Sequence, residues 1–466
     1  MSVPLGQQWR VRTSGEAEQA DQEDPGQPAS LRDRLAHWRA LLDRPLTSYY
    51  LILGCTLLLL ALGLVMVLSA STAYNLVQGL PTYSTFEKQV AGAVGGLVIM
   101  WLASKTPPRL FRACAYPLLA ASVFGLVLVL LVGPKVSGAE RWVTVAGIQV
   151  QPSECAKLAF ALWGADLLAR KERLRQLTDS RQLLIPLLPG LALLATLVML
   201  GDDLGTTALL VVIFLALLWI IGTPGRLLAG MVGLMVFVLA MLIVVHPYEY
   251  QRITGFLAQS SPGCASSASY QLAEGKCALG SGGWFGVGLG ESKAKWGWVP
   301  SSPTDFIFAI LGEELGLIGT LCVVALYGGI AFAGLRIARR VPDSFSRLAA
   351  GAITMWIMAQ ALVNIGAVLG VLPITGVPLP LISAGLSSLL VTMTALGMLM
   401  SFARSEPGAR EALAAAGPGA VRRLLRSSWP RQQRPARRGG RGPARTRPAP
   451  GGRRPASRPP PRGQGG

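Results

Sequence analysis

The chain has 466 residues, of which 51% are hydrophobic and only 14% charged, against about 25% charged in a soluble domain; its mean hydropathy is +0.47. That composition excludes a soluble globular enzyme, and apolar runs of about 20 residues, long enough to cross a bilayer core as helix, make the chain an all-α polytopic membrane protein. The net charge of +19 sits mostly in a tail: residues 405–466 carry 15 basic and 2 acidic side chains, residues 46–404 carry 22 and 15, and residues 1–45 carry 6 and 7.

Residues 1–45 form a polar, flexible N-terminal tail with a short amphipathic stretch around Leu31–Leu42. No charged n-region, short apolar core and cleavage site precede the first apolar run, so that run is expected to be an uncleaved signal anchor. Ten spans follow, at about 49–70, 86–104, 112–133, 152–170, 183–200, 204–221, 226–245, 304–335, 347–371 and 385–404. The segments after even-numbered spans hold 13 Lys and Arg in short loops, against 7 in the much longer opposite loops. By the positive-inside rule both termini are cytoplasmic. One outer loop, residues 246–303, exceeds all others, and a loop of that length is usually functional. Its outer location favours a Cys264–Cys277 disulfide over two free thiols, worth about 3 kcal/mol through loop closure. The tail at 405–466 is Arg-, Pro- and Gly-rich and cannot bury enough apolar surface to fold. Contact with an anionic leaflet or a protein suits it better than nucleic acid, which charge alone would bind without specificity.

Four polar groups stand where charge is costly, since an ion at membrane depth loses about 2.5 kcal/mol or more. The first is Arg141-Trp142, then Gln151-Pro152-Ser153-Glu154 and Lys157. Glu154 and Lys157 share a helical face at the outer end of the fourth span and can pair. The second is Gly201-Asp202-Asp203-Leu204-Gly205-Thr206, where Asp203 can cap the sixth span. A cap uses only one of the two acids, which leaves metal or substrate contact open. The third is the glycine-rich run 278–290 with Lys293, Lys295 and Trp296. No strand precedes it, so a nucleotide-binding loop is excluded; it reads either as a flexible loop near a lipid-linked substrate, with Lys295 by the phosphates, or as an interfacial turn. The fourth is the run 303–316, in which Thr304 is the expected N-cap of the eighth span and Asp305 lies in its first turn. Glu313 and Glu314 lie more than two turns deeper, Glu313 returning to roughly the face of Asp305. A carboxylate at a wet membrane boundary can serve as a general base, or simply as a helix-end charge.

Seven ordered strings over residues 45–404 resemble the SEDS family (shape, elongation, division and sporulation): RPLTSYYLILG, GLVMVLSAS, RWVTVAGIQVQPSECAKLAF, DLGTT, ALGSGGWFGVGLGESKAKW, TDFIFAILGEELG and QALVNIGAVLGVLPITGVPLPLISAGLSS. The resemblance is to the division type more than to the elongation type. It implies a peptidoglycan glycosyltransferase that polymerises lipid II at the outer leaflet of a bacterial plasma membrane, at the division septum. The matched acid Asp305 is then the general base for the acceptor 4-hydroxyl, and undecaprenyl pyrophosphate leaves. Arg141, Lys295 or a divalent ion (Mg or Mn) near Asp305 and Asp203 would steady the leaving charge, with Glu154, Lys157, Asp203, Glu313 and Glu314 around the substrate. Implied partners are a class B penicillin-binding protein and other divisome proteins, with no specific nucleic acid. Ser301-Ser302-Pro303, Gly201-Asp202 and Gly385-Leu386 depart from the usual family residues. A lipid II flippase and a non-catalytic divisome scaffold are the competing readings; a flippase would carry inverted repeats, which the sequence lacks.

Overall fold

The computed structural model describes residues 46–132, 142–145, 148–174, 183–245, 267–297, 299 and 302–409, together with Tyr250 and Thr254. All of them belong to one contact unit, Met1–Ala415; the second unit, Ala416–Gly466, lies outside the described residues. Eleven helices occur in this part of the chain: α1 Thr47–Val77, α2 Ser84–Lys105, α3 Pro108–Val132, α4 Pro152–Arg173, α5 Leu187–Leu200, α6 Leu204–Ile220, α7 Gly225–Val245, α8 Ser267–Ser281, α9 Ile307–Arg340, α10 Ser344–Val368 and α11 Leu386–Ala403. All but α8, which lies in the long loop, fall on the ten expected spans. Seven of these, α1, α2, α3, α7, α9, α10 and α11, are long and apolar enough to cross a bilayer. Helices α5 and α6 are shorter apolar helices, and α4 is long enough but carries Glu154, Lys157, Asp166 and Arg170.

One departure from an all-α expectation is a small antiparallel hairpin before α4, β1 Val143–Val145 paired with β2 Ile148–Val150. It is tied to α11 by Ser387, whose hydroxyl donates to the Gln149 carbonyl at 3.1 Å and accepts the Gln151 amide at 3.2 Å. Pro152 then opens α4, where a missing N–H costs nothing, while Arg170, Lys171 and Arg173 complement the negative end of its dipole.

The centre of the bundle is α10 and α11, buried over 67% and 78% of their most apolar stretch, while α7, at 11%, leaves nearly all its surface to lipid. Helix α10 packs on α4, α6 and α9, and α11 on α2. Close approach of α2 and α11 depends on Gly397, where a side chain would sit 2.6 Å from the Met100 carbonyl oxygen. Small residues at such crossings let the backbones gain dispersion contact that lipid cannot supply.

Two irregular stretches interrupt this regular packing. Helix α9 is broken at Gly316 (φ 68°, ψ −164°), and the chain between α10 and α11 folds back into the protein without helical structure, burying Leu379, Leu381 and Ile382. Irregular backbone at this depth survives only where protein satisfies its polar groups. Both stretches border the site.

Candidate active site

Helices α4, α6, α9 and α11 begin at the same end of the bundle where α10 finishes, because their terminal residues touch. Gln151 Nε2 donates to Asp203 Oδ2 at 3.3 Å, and Asn364 Nδ2 donates to the Asp305 carbonyl at 2.9 Å. Most of the acids singled out by sequence gather here, on separate supports.

Asp305 is half-buried in a turn that precedes α9. The expected N-cap is corrected: α9 starts at Ile307 with Phe306 in the capping position, so Asp305 lies before the helix rather than in its first turn. The Thr304 carbonyl instead accepts the Ser383 hydroxyl at 2.6 Å, and the Pro303 carbonyl accepts the Ala384 amide at 2.9 Å. Asn364 completes a clamp, sending its second N–H to the Val377 carbonyl at 2.8 Å. The segment 374–385 is itself fully engaged. Gln360 donates to Pro378 O at 3.0 Å, Tyr327 donates to Pro380 O, and Ser383 Oγ accepts the Leu379 amide at 2.8 Å. Gln89, buried in α2, donates to Ser383 O at 3.3 Å and accepts the Gly385 amide at 3.2 Å. The backbone of the proposed base is thus fixed by three amide side chains and a hydroxyl drawn from α2, α10 and the folded-back segment.

One turn before Asn364 on the same face of α10, Gln360 meets the second acidic group. Lys157 is fully buried and donates to Glu154 Oε1 at 2.8 Å and to Gln360 Oε1 at 2.9 Å. Trp356 Nε1 donates to that same Gln360 oxygen at 2.9 Å, and its ring lies 5.2 Å from the Lys157 ammonium. Glu154 Oε2 is buried with no hydrogen-bond partner among the described residues. The pair is therefore compensated on the lysine side, with one carboxylate oxygen in reserve.

Asp203 is the helix cap that its position promised. Its Oδ1 accepts the Thr206 amide at 3.0 Å, and its Oδ2 accepts the Thr206 hydroxyl at 2.8 Å as well as Gln151. Both Asp203 oxygens thus accept hydrogen bonds in the cap, and no three His, Cys, Asp or Glu converge among the described residues.

The glycine-rich run, read as a flexible loop or an interfacial turn, is docked into the break in α9. At Gly316 the helix ladder is interrupted, and the loop supplies the missing partners: Val287 N donates to Glu313 O at 2.9 Å, Gly288 N to Glu314 O at 3.2 Å, Leu317 N to Gly283 O at 2.9 Å and Ile318 N to Trp284 O at 3.3 Å. The side chains reinforce this. Glu313 accepts the Ser292 hydroxyl at 2.5 Å and the Lys293 and Ala294 amides at 3.0 and 3.3 Å. Lys295, 5% exposed, spends its three protons on Ser69 Oγ at 3.0 Å, Gly290 O at 2.5 Å and Glu314 Oε1 at 3.3 Å. Ser69 donates to Glu314 Oε1 at 2.5 Å. Glu313 anchors the loop, while Lys295 and Glu314 form a buried ion pair on the wall of a cavity of about 400 Å³ that Tyr83, Leu289 and Trp296 also line. The helix of the eighth expected span has its interruption here.

Arg141 and Cys264 lie outside the described residues. The Cys277 thiol is exposed and free, so the expected bridge to Cys264 is not part of the described structure. Gln89, Ser69, Gln360, Asn364 and Ser383 were not singled out by sequence. Gln360 and Asn364, two amides four residues apart inside an apolar span, were the available signal.

The model of the FtsW/RodA/SpoVE family, described as "Cell cycle protein", matches residues 49–407. The probable peptidoglycan glycosyltransferase FtsW of Mycobacterium tuberculosis is 39% identical over 435 residues, covering 93% of this chain and 82% of that protein. Stage V sporulation protein E of Bacillus subtilis is 34% identical over 353 residues, covering 75% and 95%. Among solved structures, one titled "Structural coordination of polymerization and crosslinking by a peptidoglycan synthase complex" is similar at TM-score 0.61 and 26% identity, covering 76% of this chain and 96% of that one. The rod shape determining protein RodA of Thermus thermophilus is similar at TM-score 0.56 and 27% identity, covering 76% and 96%. On the extent of these matches and the seven ordered strings, the chain belongs to the FtsW/RodA/SpoVE family.

Proposed function

We propose that this protein is a peptidoglycan glycosyltransferase of the division type, polymerising lipid II in the plasma membrane of a bacterium with Asp305 as the general base. The observation that carries the assignment of Asp305 is its setting. A half-buried carboxylate stands on a turn whose backbone carbonyls are clamped by Asn364 and Ser383, one helical turn along α10 from the buried Glu154–Lys157 pair. A base must be positioned more than it must be strong, since a displacement of about 1 Å can cost 10²-fold.

In the proposed step the acceptor 4-hydroxyl gives its proton to Asp305 as its oxygen bonds to the donor anomeric carbon. The bond from that carbon to undecaprenyl pyrophosphate breaks, and the electron pair leaves with the pyrophosphate. Glu154 acts through its buried pair with Lys157, which Gln360 ties to α10 one turn from Asn364. Lys295 and Glu314 border the substrate through the 400 Å³ cavity, and Glu313 acts by holding the loop. Arg141 is proposed to steady the leaving pyrophosphate.

The remaining parts of this reading are ten spans, both termini cytoplasmic, the 246–303 loop outside, and a septal location. A polymerase without a crosslinking domain makes only uncrosslinked strands, so the proposed partner is a class B penicillin-binding protein, with further divisome proteins around it. The ion pairs support the sidedness: Arg112 and Arg170 on Asp166, and Arg347 on Glu172, all lie at the end opposite Asp305. The testing experiment is Asp305→Asn in a purified polymerisation assay. Asn is nearly isosteric but takes no proton, so the rate should fall about 10²–10⁴-fold while lipid II binding is retained; wild-type rates from Asp305→Asn would remove the assignment.

A further inference from the structure

At the end of the bundle away from Asp305, the C-terminal turns of α6 and α9 and the first turn of α10 enclose a cavity of about 190 Å³ lined by Trp219, Ile220, Leu335, Ala338, Arg339 and Arg347. Its charge is not balanced. Arg347 gives one terminal N–H to Glu172 at 2.7 Å, but its Nε–H is buried with no hydrogen-bond partner. Arg339 is exposed and joins none of the ion pairs among the described residues. Of the nearby acids, Glu172 holds Arg347 through Oε1, its Oε2 being buried without a partner, while Asp343 caps α10 through the Ser346 amide at 3.0 Å and its hydroxyl at 2.8 Å, and faces Arg173 at 3.7 Å. Arg339 and the part-exposed Arg347 guanidinium therefore present positive charge at the cavity.

The remaining walls name the kind of molecule. Ile220, Leu335 and Ala338 are apolar, and Phe332, one turn before Leu335, is 46% exposed and continues the apolar surface along α9. Trp219 is 52% exposed at the rim, a ring type that settles where hydrocarbon meets headgroup. An inorganic anion would satisfy the arginines and leave these walls unused. A zwitterionic lipid would satisfy the walls but bring its own cation beside Arg339.

We propose that this cavity binds the phosphate of an anionic phospholipid of the phosphatidylglycerol class, accepting from Arg339 and from the part-exposed Arg347 guanidinium, with its glycerol and first acyl carbons on Ile220, Leu335 and Ala338. The site is independent of the Asp305 chemistry. Each arginine beside an anionic headgroup is worth about a fivefold change in affinity, so losing both contacts should weaken binding about 25-fold.

The test is native mass spectrometry of the purified full chain in detergent, titrated with phosphatidylglycerol, with phosphatidylcholine of the same acyl chains, and with inorganic phosphate as competitor. Wild type should retain one phosphatidylglycerol in preference to phosphatidylcholine, and phosphate should not displace it. Arg339→Gln should weaken that retention about fivefold. Arg347→Lys, which can keep the pair with Glu172 but loses the other guanidinium donors, should weaken it similarly. Arg226→Gln, an exposed basic residue outside the cavity, should leave it unchanged. Equal retention of the two lipids, unaltered binding by Arg339→Gln, an equal loss in Arg226→Gln, or displacement by phosphate would each overturn the proposal.

Discussion

Replacing Gly316 with Ala should undock the glycine loop from α9. The residue sits at φ 68°, ψ −164°, a region essentially reserved for glycine and costing a side-chain-bearing residue about 1–3 kcal/mol. A Cβ there would overlap the Gly286 amide nitrogen and lie 2.6 Å from both the carbonyl carbon and oxygen of Trp284. These are backbone atoms, so the loop itself must move. The bonds from Leu317 N to Gly283 O and from Ile318 N to Trp284 O flank the contact directly, and losing both removes about 2 kcal/mol. Together the loss is about 3–5 kcal/mol, which raises the undocked population by roughly two to nearly four orders of magnitude. Hydrogen exchange read by mass spectrometry reports this, because the Val287 and Gly288 amides are protected only by the Glu313 and Glu314 carbonyls. Exchange in the 283–288 segment should accelerate by that factor in Gly316→Ala. Gly280→Ala, whose added methyl meets nothing within 4 Å, should leave it unchanged. Unaltered exchange in Gly316→Ala would refute the docking of loop into helix break.

Removing one member of the buried Glu154–Lys157 pair, as in Glu154→Gln or Lys157→Met, should cost about 3–5 kcal/mol in the unfolding of the purified protein. The double replacement should recover part of that loss, and additive losses would contradict mutual compensation. Asn364→Ala and Ser383→Ala should each lower kcat with little change in KM, while Ser383→Thr, which keeps the hydroxyl, should restore most of the rate; unchanged kcat in both alanine variants would show that the clamp does not matter to Asp305. Asp203→Ala should lose about 1 kcal/mol of stability through the cap, but Asp203→Asn, which can also accept the Thr206 amide, should keep both stability and activity. A sharp loss of activity in Asp203→Asn would return a metal or substrate role to that carboxylate.

The regular helices were legible because apolar length determines them: each of the ten helices other than α8 lies on an expected span, although α1 and α9 run on past the expected ends to Val77 and Arg340. The Glu154–Lys157 pairing and the Asp203 cap were legible for a similar reason, since both are local and follow from spacing of three residues along one helix. The start of α9 was not. Thr304 has a good capping side chain, but the folded-back segment competes for its carbonyl through Ser383, 79 residues away, and tertiary contact wins over local propensity. Helix α9 likewise carries no proline at its break, and the demand for a partner loop becomes visible only once Gly286 is seen against the Glu314 carbonyl. Lys295 read as an open cation beside phosphate because sequence shows its charge and not its neighbours; Ser69, on α1, and Glu314 take its protons from 226 and 19 residues away.

The most direct test of the account is polymerisation of labelled lipid II by the purified protein, alone and with its class B penicillin-binding protein, comparing wild type with Asp305→Asn at equal protein. The account predicts a ladder of glycan strands from wild type and a rate lower by about 10²–10⁴-fold from Asp305→Asn, with the partner complex still formed. Strands made equally fast by both proteins, or no strands from wild type under any pairing, would contradict it.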